Sequence, residues 1–238
     1  MRRLTCVVLL ALVALPAAAQ INISSKQIAD TCQAPMMGGV DSYDVPVKVK
    51  GAIHEDPQRP GMGAFLRSME RLMPVYQAQF PRDRVIVALV SSDIVNAWTF
   101  AHWIPDQGDP NHPSPVSLIC VTTVFIDFAS DEDELAFFIG HEMGHTVDEP
   151  CRLRTQRTRE NQTVCEMRAD ESGYQLMRQA GYSPYAAAGA FGRWEMYTGD
   201  TATGIVGTFS QLSMDHPITP RRIENMRRLL IEEWRAAR

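Results

Sequence analysis

Several things are scarce in this 238-residue sequence, and each shortage removes a class of function. Beyond the first nineteen residues no apolar run approaches the roughly twenty residues that a membrane-spanning helix needs, so the body of the chain reads as water-soluble. Basic residues are too few for a polyanion partner. There are 23 Lys and Arg against 28 Asp and Glu, a net charge of -5, which argues against nucleic acid. Cysteine is sparse, five in all, and no two are spaced as CxxC, which argues against a four-cysteine zinc site. Neither an internal repeat nor a low-complexity tract is present, so solenoid and disordered architectures are set aside.

What is there begins with an N-terminal segment unlike the rest. Arg2 and Arg3 precede an apolar run over residues 6–15, and Ala17, Ala18 and Ala19 form an A-x-A site, so residues 1–19 read as a signal peptide cleaved after Ala19. Cys6 opens the apolar run instead of closing it, so no lipid attachment is expected. Loss of Arg2 and Arg3 leaves 21 basic against 28 acidic residues, a net of -7. The expected location is the periplasm or the outside of the cell, where Cys32, Cys120, Cys151 and Cys165 can form two disulfides. Four cysteines allow three pairings. Cys151 with Cys165 is favoured because it closes the polar loop ahead of a second long helix, and Cys32 with Cys120 follows by elimination.

Residues 20–60 are irregular, punctuated by Pro35, Gly38, Gly39, Pro46, Pro57 and Pro60, and residues 61–238 make up one domain. Phe65, Met69, Leu72, Met73 and Tyr76 recur at helical spacing, with Pro74 placed to kink or divide that helix. Residues 84–90 are a β-branched run that reads as a buried strand, and a second strand is expected near 96–103. Residues 106–115 form a proline-rich loop in which His112 is a solvated residue, not a ligand. Residues 116–128 are expected as one long or two short strands. A helix ends near Gly181, capped at its start by Asn161 or Thr163, and another spans residues 184–197. Residues 198–207, rich in glycine and threonine, read as a mobile loop. Residues 220–238 form an amphipathic helix with Ile223, Met226, Leu229, Leu230 and Trp234 inward and with Arg221, Arg222, Arg227 and Arg228 on a solvated face.

The chemistry concentrates in residues 131–145, DEDELAFFIGHEMGH. Ser130 with Asp133 resembles a capping box, four acidic residues meet the positive end of the helix dipole, and Leu135, Phe138, Ile139 and Met143 form an apolar stripe. On such a helix His141 and His145, four apart, lie about 40° apart around the axis and can reach one metal ion. Glu142 stands beside them, placed to contact a water on that ion as a general base. The alternative is a helix whose histidines merely hydrogen-bond in a core. A tetrahedral zinc still lacks a protein ligand, and Glu166 with Asp170 in CEMRADESG supplies one: Glu166 can ligate while Asp170 accepts the free N–H of a histidine.

HEMGH followed about twenty residues later by ExxxD resembles metallopeptidase family 48, the group of the CAAX prenyl proteases and HtpX-like proteases, and in particular its soluble secreted members. SSDIVNAWTF from Ser91, SDEDELAFFIG before the histidines, and His216-Pro217 with Arg222-Ile223 are similar to further motifs of that family. The resemblance spans residues 53–223. It implies an α+β fold, a mainly helical, gluzincin-like zincin domain with a small antiparallel sheet next to the HExxH helix. It implies one zinc held by His141, His145 and Glu166, with Glu142 as general base and Asp170 orienting a ligand histidine. His216 would either stabilise the oxyanion or occupy the open metal position. The expected activity is that of a zinc endopeptidase acting on unfolded or misassembled envelope proteins. The alternatives are a latent or inactive zinc-stabilised chaperone or assembly factor, and another zinc hydrolase such as an amidase. The family's glycine-rich hairpin before the edge strand is replaced here by the proline-rich loop.

Overall fold

The computed structural model describes residues 31, 59–81, 83–90, 95–105, 115–147, 151, 159–203, 216 and 218–238. The expected signal peptide, the segment ahead of residue 59 apart from Thr31, and the loop bearing His112 lie outside them. The described residues include six helices and three strands in the order α1 (Met62–Gln79), β1 (Arg84–Val90), β2 (Ala97–Pro105), β3 (Pro115–Thr122), α2 (Thr123–Phe128), α3 (Glu132–Val147), α4 (Arg159–Gln179), α5 (Ala186–Thr203) and α6 (Pro220–Ala236). The class is α+β, mainly helical, as expected.

Helix α1 buries Phe65, Met69, Leu72, Met73 and Tyr76, the stripe read from the sequence. Pro74 divides nothing: it faces solvent within an unbroken helix, where the cost of its missing N–H is outweighed by the packed face. The sheet corrects the expectation of a purely antiparallel arrangement. Its order is β1-β3-β2, with β2 antiparallel to β3 and β1 parallel to it. β3 is inserted between its two predecessors, and every residue from Val116 to Thr122 is buried. A central strand covered on both faces suits a continuous apolar run and tolerates one parallel neighbour.

The second half of residues 116–128 is also a correction, since it forms helix α2 and not strand. Thr122 ends the sheet and caps the helix, its side chain accepting from the backbone N–H of Phe125 at 3.2 Å while its own N–H donates to Asn96 O at 3.0 Å. The start of α3 differs by one residue from the expected box. Asp131 Oδ1 accepts from Glu134 N at 2.9 Å, and Glu134 Oε2 reaches back to Ser130 N at 2.9 Å.

Helix α3 is the axis of the fold, packed against α1, α4, α5 and β2. That is why it is buried nearly all round, including Leu135, Phe137, Ile139 and Met143. Helix α4 begins at Arg159, so Asn161 and Thr163 lie inside it and do not cap it. Near its start a disulfide joins Cys151 to Cys165, as favoured. Cys120 is also disulfide-bonded, and Cys32 lies outside the described residues. Gly181, at φ +79°, stops α4 with bonds from its own N–H to Arg178 O and from Tyr182 N to Met177 O, a left-handed terminus that needs glycine.

Two further expectations change downstream. The glycine- and threonine-rich stretch after Tyr197 stays helical through Thr203, because each such residue costs under about 1 kcal/mol of propensity and the helix is already nucleated. Residues 204–207 lie outside the described residues. On α6, Met226 and Leu229 are buried and Ile223 and Leu230 are partly so, whereas Trp234 is 47% exposed with the Arg238 guanidinium 3.6 Å over its ring. No helix among the described residues is long and apolar enough to cross a membrane.

A close contact between α3 and α4 sets up the site. Gly140 and Gly144 of α3 face Gly173 and Ala169 of α4 so tightly that a Cβ on Gly173 would lie 2.7 Å from the backbone nitrogen of His141. Backbone cannot rotate away. Gly173→Ala is therefore expected to destabilise the fold by about 1–3 kcal/mol and to lower bound zinc in the same step. Thermal unfolding and metal content measure the two together, and a variant matching the parent in both would separate the glycine contact from the site.

Candidate functional site

Helix periodicity puts His141 and His145 on one side of α3, and the glycine contact brings Glu166 of α4 to meet them. His141 Nε2 and His145 Nε2 are 3.1 Å apart, with Glu166 Oε2 3.4 Å from the first and Glu166 Oε1 3.4 Å from the second. His216, which precedes α6 in the chain, completes the group: its Nδ1 is 3.0 Å from Glu166 Oε2 and 3.4 Å from His141 Nε2. These four residues could hold a metal ion.

The spacing fits zinc. Bonds of 2.0–2.2 Å to nitrogen and oxygen imply about 3.3–3.6 Å between donors at the corners of a tetrahedron. Three of the observed separations, at 3.4 Å, lie inside that range, and the other two, at 3.0 and 3.1 Å, fall just short of it. Two buried imidazole nitrogens this close would set lone pair against lone pair unless a proton or a cation lay between them.

Around the four donors is a ring of charge. Asp170 Oδ1 is 2.8 Å from His141 Nδ1, the arrangement in which the carboxylate accepts the N–H and leaves Nε2 free. Asp170 is itself gripped by Arg222, from Nε to Oδ2 at 2.8 Å and from Nη2 to Oδ1 at 2.7 Å, and Arg222 Nη1 lies 3.1 Å from Glu166 Oε2. On the other side Glu142 Oε2 accepts from Thr99 Oγ1 of β2 at 2.8 Å, and Glu142 Oε1 is 3.5 Å from His216 Nε2.

Ionisation follows from this packing. Burial works against charge on His141, yet its hydrogen bonds to Asp170 and Glu166 and their negative charge raise its pKa to about 10. Burial holds His145 well below the ordinary histidine value, Glu166 opposing it and the charges of His141, His216 and Arg222 pushing the same way. Burial would raise both carboxylates, but His216 and Arg222 hold Glu166 far below the carboxylate range, and Arg222 and His141 hold Asp170 below it. His216 is raised: burial opposes, and the charges of Glu166 and Glu142 prevail. Two anionic carboxylates facing imidazoles that must shed protons to coordinate make a site in which a cation displaces protons.

All six residues singled out from the sequence, His141, Glu142, His145, Glu166, Asp170 and His216, stand in this one cluster. Two neighbours were given no role at the site from the sequence, although both fall in motifs similar to the family's. Arg222, read as part of a solvated basic face, is 4% exposed and paired to Glu166 and Asp170 of α4. Its signal was positional, since it falls one turn into α6 on the side of Met226 and Leu229. Thr99 had no signal beyond its place in the strand after Asn96-Ala97.

A comparison with curated proteins returns no match. The family comparison does: the model of Peptidase family M48 matches residues 65–162 and 150–230, the greater part of the chain and every residue of the cluster. With that match and this arrangement of donors, the chain belongs to peptidase family M48, a family of zinc metalloproteases.

Proposed function

We propose that the chain is an exported zinc endopeptidase that hydrolyses peptide bonds in unfolded or misassembled polypeptides of the cell envelope. Residues 61–238 form its catalytic domain, following an irregular segment (20–60) and an export signal (1–19). The reading assigns one zinc to His141, His145 and Glu166. The observation that carries it is the convergence of these donors at tetrahedral spacing with Glu142 alongside. Support for export comes from the Cys151–Cys165 disulfide, which persists in oxidising compartments.

When bound, zinc supplies Lewis acidity, lowering the pKa of a water and polarising the scissile carbonyl. The protein groups do the rest. Glu142 takes the proton of the attacking water on its carboxylate and delivers it to the leaving amine nitrogen, its orientation held by Thr99. Asp170, clamped by Arg222, fixes the tautomer of His141. Strand β2 carries Thr99 along the edge of the sheet beside α3, and an extended substrate can add to that edge by backbone pairing.

The test is zinc content together with cleavage of an unfolded casein. About one zinc per chain is expected, with cleavage abolished by chelation and restored by zinc. Cleavage that survives complete removal of metal, or a zinc-loaded protein that cleaves neither peptide nor protein, would refute the reading.

One observation favours a second reading. His216 Nδ1 sits at donor spacing from both Glu166 and His141, so His216 qualifies as a fourth ligand, closing the site of a latent enzyme or of a zinc-stabilised assembly factor. The sign of one substitution divides the roles. His216→Ala raises turnover if the imidazole caps the metal and lowers it if the imidazole donates to the oxyanion, as measured by kcat on the casein substrate.

A further inference from the structure

The sheet has two faces, and the described helices cover one of them. Helix α3 packs on β2 and β3, and Val85, Leu89, Ala97, Ile119 and Val121 join its Leu135 and Ile139 in one core cluster. Successive residues of a strand point to opposite faces, so the register sets Ile86, Ala88, Val90, Trp98, Leu118 and Cys120 on the far side. These six are no more than 3% exposed, yet none of them belongs to that cluster. A sheet with a parallel pair is seldom left facing water, and this apolar face is shut from it. Trp98 stands opposite Cys120, and its buried indole Nε1 has no hydrogen-bond partner among the described residues. Such an N–H costs free energy until a neighbouring segment brings an acceptor.

The cysteines identify that segment. Cys120, fully buried in the central strand, is disulfide-bonded, while Cys151 is bonded to Cys165. Of the five cysteines only Cys6 and Cys32 are left as its partner. Cys6 belongs to the proposed export signal, which leaves Cys32. Its neighbour Thr31 is helical and half-buried. Ile21, Ile28 and Cys32 recur at spacings of seven and four, the stripe of a helix with one apolar side. The chain from Cys32 to Arg59 can extend about 90 Å, against a diameter of about 40 Å for a domain of this size, so its length does not restrict where the stripe docks.

We infer that residues 21–32 dock on the far face of the sheet as an amphipathic helix, with Ile28 and Cys32 turned inward, and are locked there by a Cys32–Cys120 disulfide. The bond forms as the two thiols pass two protons and two electrons to a disulfide oxidant of the export compartment, which leaves as a dithiol. The segment ahead of the domain is thus its third layer. Because β2 carries Thr99, whose hydroxyl holds Glu142, this layer backs the strand that orients the general base. In one step, the removal of Cys6, the inference rests on the export reading.

The test uses the full chain recovered after export. Non-reducing peptide mapping by mass spectrometry should find Cys32 joined to Cys120 within one chain. In a protein that begins at Gln20, a free Cys120 thiol or a Cys120 joined to a second chain overturns the inference and leaves the export reading intact. Cys120 joined to Cys6 overturns both. Docking is read separately, by hydrogen exchange over residues 84–90 and 116–122. Ile28→Asp, which sets a charge on the apolar stripe, should speed exchange there by about 10- to 100-fold. Lys26→Asp changes the charge by more but lies on the other side of the helix, and should leave exchange within about twofold of the parent. Exchange over residues 166–177 checks that the rest of the domain stays folded. Equal effects of the two variants, or no effect of either, overturn the docked helix. If Ile28→Asp does not fold, Ile28→Ser takes its place with the same expected sign.

Discussion

Glu142→Gln is expected to take up zinc as the parent does and to lose about 10²- to 10⁴-fold in kcat, the range that a positioned general base supplies. The substitution is nearly isosteric, and the amide oxygen of glutamine can still accept the Thr99 hydroxyl now bonded to Glu142 Oε2 at 2.8 Å. Glu142 lies outside the set of four converging donors, so the ligand set is untouched. What is lost is the ability to take a proton. Metal content and thermal unfolding check that the site is intact, and kcat on an unfolded protein reads the effect. A variant that turned over every parent substrate at the parental rate would remove Glu142 from the mechanism without disturbing the zinc assignment.

Arg222→Ala should produce the largest loss of stability of any change near the site, about 3–5 kcal/mol, because it leaves buried carboxylates without their counter-charge. Asp170 and Glu166 are 1% and 3% exposed, and the guanidinium contacts both at 2.7–3.1 Å. Zinc affinity should fall about 10- to 100-fold as Asp170 loses the partner that fixes it against His141. Arg222→Lys should recover only part of either loss, since a single ammonium cannot reproduce the two-pronged grip. The pH dependence carries a sign as well. Arg222 and His141 overcome burial and hold Asp170 below its ordinary pKa of 3.8, so its contribution to stability is complete above that value and is lost as pH falls through the lowered one. In Arg222→Ala that loss should begin at a higher pH. Denaturant unfolding across acid pH and competition with a chromogenic chelator provide the readings, and an unchanged free energy of unfolding would show that the arginine is not the counter-charge.

The parts of the site that were legible are those governed by helical periodicity. His141 and His145 share a face because they are four apart, as do Glu166 and Asp170, and no tertiary contact is needed to know it. The acidic start of α3, the glycine stop of α4 at Gly181 and the buried run of β1 were equally local. Errors fell where two local signals competed or where burial decided. Residues 123–128 have the composition of strand, yet the hydroxyl of Thr122 began a helix there. Asn161 and Thr163 carry capping side chains but lie inside a helix that had already started at Arg159.

Arg222 marks the limit most clearly. On the helical wheel it shares the side of Met226 and Leu229, yet an arginine is enclosed only where carboxylates meet it, and those come from another helix. The order of the strands is similar in kind: the runs were visible, but the insertion of β3 between β1 and β2 was not. By itself the sequence determined which side chains can act together within one helix, because a regular backbone repeats every 3.6 residues whatever surrounds it. Only the tertiary structure decided that two such helices meet at glycine, and that an arginine from a third closes over both carboxylates, because close approach and burial depend on every element that packs there.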